Sequence, residues 1–210
     1  MLAFGACLVL GGCAGRAKVA PATPGSAAPE HAASAEQPDG KAQAAAARRA
    51  ARARPPAGYF RMVVGGVAPT PQGNAVLLSD ERGTVGLPIF VGEGEALSIL
   101  VRLRQHPYSR PLTHDLLDTI LRRLGGSIES VRIDSVKNNV FFATVSVRGS
   151  GGVFEVDSRA SDAIAVALGN SAPIFVAKAV LQVAGIDIRA LRQRREAEPA
   201  PETDPGHLKL

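Results

Sequence analysis

Between residues 58 and 188 apolar positions recur with two alternating periods, and the switches between them mark out the elements of one folded domain. Tyr59 to Val64, Ala75 to Leu78 and Val85 to Val91 read as strands, the last two joined by a turn at Glu81-Arg82-Gly83. Pro88 removes a ladder donor, so this third strand is expected at a sheet edge or to contain a bulge. From Glu93 to Arg104 the residues Ala96, Leu97, Ile99, Leu100, Val101 and Leu103 predict a helix with a wide apolar face, with Glu93 and Glu95 favourably placed in its first turn. Leu116, Leu117, Ile120, Leu121 and Leu124 predict a second, amphipathic helix that Thr113 would cap and Gly125-Gly126 would end.

The period then returns to two. Val131 and Ile133 alternate with Arg132 and Asp134 in Ser130 to Val136, so one face of that strand is wet. Lys137-Asn138-Asn139 turns the chain into Val140 to Val147, and Gly149 to Gly152 leads into Val153 to Val156. Ser161 is placed to cap a helix of small apolar residues, Ala163 to Leu168, whose size points to close packing inside the core. Pro173 to Val176 reads as a short strand and Ala177 to Ala184 as a last helix before Gly185. This mixed order, with at least two hairpins, predicts an α+β fold with a mixed or mostly antiparallel sheet packed with about four helices.

Composition sets the limits of that domain. Residues 14–57 are almost all Ala, Pro, Gly, Ser and charged residues, with Val19 the only large aliphatic among them, and cannot bury enough surface to offset chain entropy. They are expected to be a disordered linker, and the charged stretch 189–210 a tail of the same kind. Lys and Arg outnumber Asp and Glu 7 to 3 before Gly58, balance them 12 to 12 from Gly58 to Ile188, and stand at 5 to 4 after it. The domain is therefore neutral, which leaves a local basic groove as the only electrostatic route to nucleic acid. The basic run Arg48 to Arg54 reads first as a solvated Ala/Arg tether and second as a contact for phosphate or anionic lipid.

Residues 1–10 form an apolar run too short to span a bilayer and read as an export signal. Leu10-Gly11-Gly12-Cys13 resembles the lipobox of bacterial lipoproteins, although no basic residue precedes it. The resemblance implies a signal peptide over 1–13, lipidation at Cys13 and a membrane-anchored domain in the cell envelope; without that signal the domain would be cytoplasmic. Cys7 would leave with the leader, so neither a disulfide nor a cysteine-based zinc site is available to the mature domain.

Two stretches concentrate chemistry. Arg110-Pro111-Leu112-Thr113-His114-Asp115 and Asp157-Ser158-Arg159-Ala160-Ser161-Asp162 each set an arginine, hydroxyl residues and a carboxylate ahead of an apolar helical run, like matching loop-to-helix junctions. Together with Leu87 to Gly92, Glu95-Ala96 and Ala172 to Val176, they resemble the bifunctional nuclease domain, in the family's order and over about Val63 to Gly185. The resemblance implies an α+β fold, self-association, and cleavage of DNA and RNA. Where the family has Arg-Pro-Ser-Asp this chain has Arg159-Ala160-Ser161-Asp162, a change in loop stiffness more than in chemistry.

Phosphodiester hydrolysis needs an activated water, charge stabilisation on phosphate and often a divalent metal. Glu95, Asp115, Asp157 and Asp162 are the candidate oxygen ligands for Mg²⁺ or Mn²⁺, and His114 the candidate general acid or base. Arg110 and Arg159 are candidates to hold phosphate bidentately. Asp115 and Asp162 in first helical turns would repel phosphate unless a metal or an arginine stands between. Against this stands a purely structural reading: both aspartates suit a first turn, both arginines can pair with them, and Asp118 reads as a structural residue on a helix surface. The competing functions are then a metal-assisted nuclease and a non-catalytic, oligomeric binding or scaffolding module of the same fold. Metalloprotease, P-loop and GxSxG hydrolase patterns are missing.

Overall fold

A computed structural model describes residues 53–106 and 108–190, together with 44, 48 and 193. The export signal, Cys13, nearly all of the linker and most of the tail lie outside the described residues. The strands are β1 (Tyr59–Thr70), β2 (Gly73–Ser79), β3 (Val85–Val91), β4 (Ser127–Lys137), β5 (Val140–Gly149), β6 (Gly152–Arg159), β7 (Ile174–Ala177) and β8 (Ile186–Asp187). The helices are α1 (Glu93–Leu103), α2 (Thr113–Arg123), α3 (Ala160–Gly169) and α4 (Lys178–Ala184), and a further helical stretch begins at Ile188.

The strands form one eight-stranded sheet in the order β6-β5-β4-β7-β1-β2-β3-β8. Every neighbouring pair is antiparallel except β4 and β7, so the α+β expectation holds with a mostly antiparallel sheet. The β4–β5 hairpin turns on Asn138 and Asn139, both at positive φ (50° and 62°), the conformation a two-residue hairpin demands and asparagine tolerates. β1 is long because it serves two partners: its start pairs with β7 and its end with β2, with a bulge between Val64 and Gly66. Pro88 sits where expected, since β8 covers β3 only at Val85 and Gly86.

Asp80 closes the β2–β3 turn by accepting hydrogen bonds from the Thr84 and Val85 N–H groups (2.6 and 2.8 Å) and from the Thr84 hydroxyl (2.7 Å). Burial pushes its carboxyl up, but these hydrogen bonds outweigh it and hold the group below its usual range.

The core lies between the sheet and the helices. Met62, Val76, Leu78, Leu87, Ile89, Val131, Ile133 and Val176 come from strands, and Ile99 and Ile164 from helices. α3 is buried at Ala160 and from Ala163 to Ala167, which small side chains permit on nearly every face. It packs over β4 and β5, α1 lies beside it over β1 and β2, and α2 rests on α3 as an outer element.

Three local expectations are corrected. Thr113 and Ser161 are not N-caps: each helix begins one residue earlier in register, with Leu112 and Arg159 in the capping positions. The second junction contains no loop, because Asp157, Ser158 and Arg159 are the end of β6 and the chain passes directly into α3. Asp118 is buried, not on the helix surface, at 3% exposure. With it, α2 presents its polar side inwards, while Leu116, Leu117, Ile120 and Leu124 stand exposed at 56%, 51%, 48% and 79%.

Candidate active site

The seam where α1, α2 and α3 meet carries two layers of polar side chains. On α1, every residue from Ala96 to Leu103 other than Ser98 and Arg102 is aliphatic, and those two stand with Glu95 at positions i, i+3 and i+7, along one stripe. On α2 the matching stripe is His114, Asp115 and Asp118. α3 contributes Asp162 in its first turn and the Ala165 carbonyl one turn later.

The inner layer centres on Arg102, whose side chain is 6% exposed. Its Nη1 donates to the Ala165 carbonyl (2.8 Å) and pairs with Asp118 Oδ2 (2.8 Å), and its Nη2 pairs with Asp115 Oδ1 (2.8 Å). Asn170 Nδ2 donates to the other Asp118 oxygen (2.8 Å), and the second Asp115 oxygen accepts from the Leu112 N–H (2.9 Å), satisfying a helix-end donor. Arg102 Nε is buried without a partner. A Cβ on Gly169 would collide with Arg102 Nη1 and lie 2.5 Å from Asp118 Oδ2, so glycine is what lets α3 approach the pair. Gly169→Ala is therefore expected to lower stability by about 2 kcal/mol or more, although alanine normally favours a helix; an unchanged urea midpoint would contradict this steric role.

The outer layer opens towards solvent. Arg159 Nη2 lies 2.8 Å from Glu95 Oε1 and 3.1 Å from Asp162 Oδ1, while its Nε donates to Asp162 Oδ2 at 2.7 Å. His114 Nε2 is 3.2 Å from Asp162 Oδ1, and its Nδ1 is 2.9 Å from the Ser98 hydroxyl. The Arg159 side chain is 67% exposed, with Asp162 at 29%, Glu95 at 21% and His114 at 12% behind it. The site thus has one accessible cation and two recessed carboxylates that converge on a single nitrogen.

Burial pushes the Asp162 carboxyl up, but hydrogen bonds from Arg159 and His114, and their charges, outweigh it and hold the group below the usual carboxylate range. An ionised Asp162 accepts the Nε2 proton of His114, which leaves Nδ1 of the neutral ring to accept from Ser98. Serine, histidine and aspartate in this sequence of contacts do not form a nucleophilic site. Ser98 is only 2% exposed, and no polymer can reach its hydroxyl.

A lowered carboxyl pKa fixes the sign of a pH dependence. Asp162 contributes stability that is fully present above its unfolded pKa, near ~3.9, and is lost as pH falls through the lower folded value. The stability gap between the native chain and Asp162→Asn is expected to close progressively below about pH 4. Urea titrations of both chains from neutral to acid pH read it directly, and a gap that widens on acidification would reverse the assignment.

Of the residues singled out from the sequence, Glu95, His114, Arg159 and Asp162 come together. Asp115 belongs to the inner layer. Asp157 stands back in β6 opposite Thr144, and Arg110 lies exposed in the loop before α2. Neither side chain takes part in a hydrogen bond or ion pair among the described residues. Sequence reasoning missed Arg102, Ser98, Gly169 and Asn170, though the polar stripe on α1 was visible. The repulsion between phosphate and first-turn aspartates is relieved in both helices by arginine: Arg102 at Asp115 and Arg159 at Asp162.

A family model described as the bifunctional nuclease domain matches residues 76–189, more than half of the chain and all four site residues. The chain belongs to the bifunctional nuclease domain family. Two uncharacterized proteins of Mycobacterium tuberculosis, MT1877 and Rv1829 from two strains, are each 38% identical to it over 125 residues, covering 59% of this chain and 74% of theirs. In this bifunctional nuclease domain the matched region begins inside β2, so β1 and the bulge that joins the two halves of the sheet lie before it.

Proposed function

We propose that this domain hydrolyses phosphodiester bonds of DNA and RNA with the assistance of a divalent cation, at the outer layer of the seam. The observation that carries the reading is the convergence of Glu95 Oε1 and Asp162 Oδ1 on one point, now held by Arg159 Nη2, at the only part of the network open to solvent. Two carboxylate oxygens so placed fit Mg²⁺ or Mn²⁺, which take hard oxygen donors and keep several waters. Glu95 and Asp162 would hold the ion; it supplies a water of lowered pKa and positive charge at the phosphate. Arg159, released from the carboxylates, is long and exposed enough to take phosphate oxygens bidentately.

His114 has a different role from the acid or base its residue type first suggests. Both ring nitrogens are engaged, one by Ser98 and one by Asp162, so it holds the carboxylate in place and keeps it ionised. Asp157 and Arg110 are not needed in this arrangement. The competing module reading has support in the inner layer, where Arg102, Asp115 and Asp118 form buried ion pairs. In the same proposal the chain stands in the cell envelope on lipidated Cys13, outside the described residues.

The test is degradation of single-stranded DNA, duplex DNA and RNA by the full chain with Mg²⁺ or Mn²⁺ and with EDTA, alongside His114→Ala and His114→Asn. Metal-dependent cleavage that falls roughly tenfold to a hundredfold in both variants, with an altered pH profile, supports the positioning role. No cleavage by the native chain, or cleavage equal in all three, sinks the enzyme reading in favour of the module.

A further inference from the structure

We propose that the exposed face of α2 is the contact surface between two copies of this chain, which assemble about a two-fold axis with their α2 helices antiparallel. The exposed residues of the helix and its C-cap are Thr113, Leu116, Leu117, Ile120, Arg123 and Leu124. They follow one stripe at helical spacing, and four of the six are aliphatic. On a helix whose other side carries His114, Asp115 and Asp118 into the domain, this stripe has no partner in the described chain.

The area supports a protein contact. Four aliphatic side chains at these exposures leave on the order of 400 Å² of apolar surface open, within the range that marks functional patches on monomers. Doubled across a two-fold axis, and with the rim such a contact covers, it reaches the roughly 1,200 Å² at which specific interfaces begin. Charge favours a second copy over an acidic or basic partner. Leu116, Leu117 and Ile120 occupy the middle of the stripe, and Arg123 stands near its end, so identical faces can meet without opposing like charges at the centre. Antiparallel packing sets Leu117 of one copy by Leu124 of the other, Ile120 near the axis, and the two helix dipoles head to tail.

The pairing would place a second subunit directly behind the helix that holds His114, so assembly stiffens the outer layer from its back. The surface itself does not depend on catalysis and is tested without it. Sedimentation equilibrium of the full chain from about 1 to 100 µM is expected to show a dimer, and Ile120→Glu is expected to weaken it at least about a hundredfold. Far-UV circular dichroism and a thermal melt establish that the variant is folded; should it not fold, Ile120→Ser is read in its place with the same expected direction. A native chain that remains monomeric across this range overturns the proposal. So does a dimer that tolerates the substitution unchanged, which would assign assembly to another surface such as the free edge of β6.

Discussion

Replacing Arg102 by alanine is expected to cost about 3–5 kcal/mol of folding stability, because it leaves Asp118 charged and buried with no cation beside it and strips one partner from Asp115. For a domain of this size the loss corresponds to a fall in Tm on the order of 10 °C or more, measurable by thermal or urea unfolding of the full chain. The native pair is not ideal, since Arg102 Nε is buried without a hydrogen bond, which carries its own penalty. An apolar replacement of both partners, Arg102→Leu with Asp118→Leu, is therefore expected to recover part of the loss. The double-mutant cycle then gives a strong favourable coupling between the two sites. Additive single effects would mean that the ion pair does not hold α1 to α2. A fall below about 1 kcal/mol would mean that water reaches the pair.

The second large effect concerns activity. Asp162→Asn and Glu95→Gln keep the size of each side chain while removing the charge that a divalent ion or Arg159 binds. Either is expected to lower metal-dependent cleavage at least about a hundredfold, and the pair together to leave little more than the metal-independent background. Titration of Mn²⁺ onto the folded chain, followed by the paramagnetic signal of the free ion, separates loss of the ion from loss of chemistry. Asp157→Asn serves as the comparison: its carboxylate stands outside the network, and its activity is expected to stay within about threefold of the native chain. Equal losses at Asp157 and Asp162 would remove the reason for placing the site at the seam.

Arg159→Gln probes the same site from the other side. Removing the guanidinium uncovers two carboxylates that it now neutralises. If the ion and the arginine compete for them, metal affinity rises while cleavage falls for want of the phosphate contact. The two changes have opposite signs, and a parallel loss of both would show that Arg159 only organises the carboxylates.

Much of the architecture follows from local pattern. Period-two runs placed seven of the eight strands; β8 escaped because two residues, Ile186 and Asp187, carry no period. Helix starts were missed by one residue because Thr113 and Ser161 look like caps, whereas Asp115 satisfies the first donors of α2 from inside the helix. The site was legible in part. Glu95, His114, Arg159 and Asp162 were named from residue type and from the family pattern, yet Asp157 and Arg110 carried the same chemistry on paper and stand apart in space.

The sequence by itself determined which segments become strands and helices, since alternation and helical spacing act over a few residues and need no distant partner. It also determined the membership of the site through its motif blocks. Only the tertiary structure decided which side of α2 faces inwards. Spacing shows that a helix has an aliphatic and a polar stripe, but the choice between burying one or the other depends on what waits across the seam. Here Arg102 and Asp162 wait there, and turning the aliphatic stripe towards them would leave buried charges unpaired, at a greater cost than exposing four aliphatic side chains.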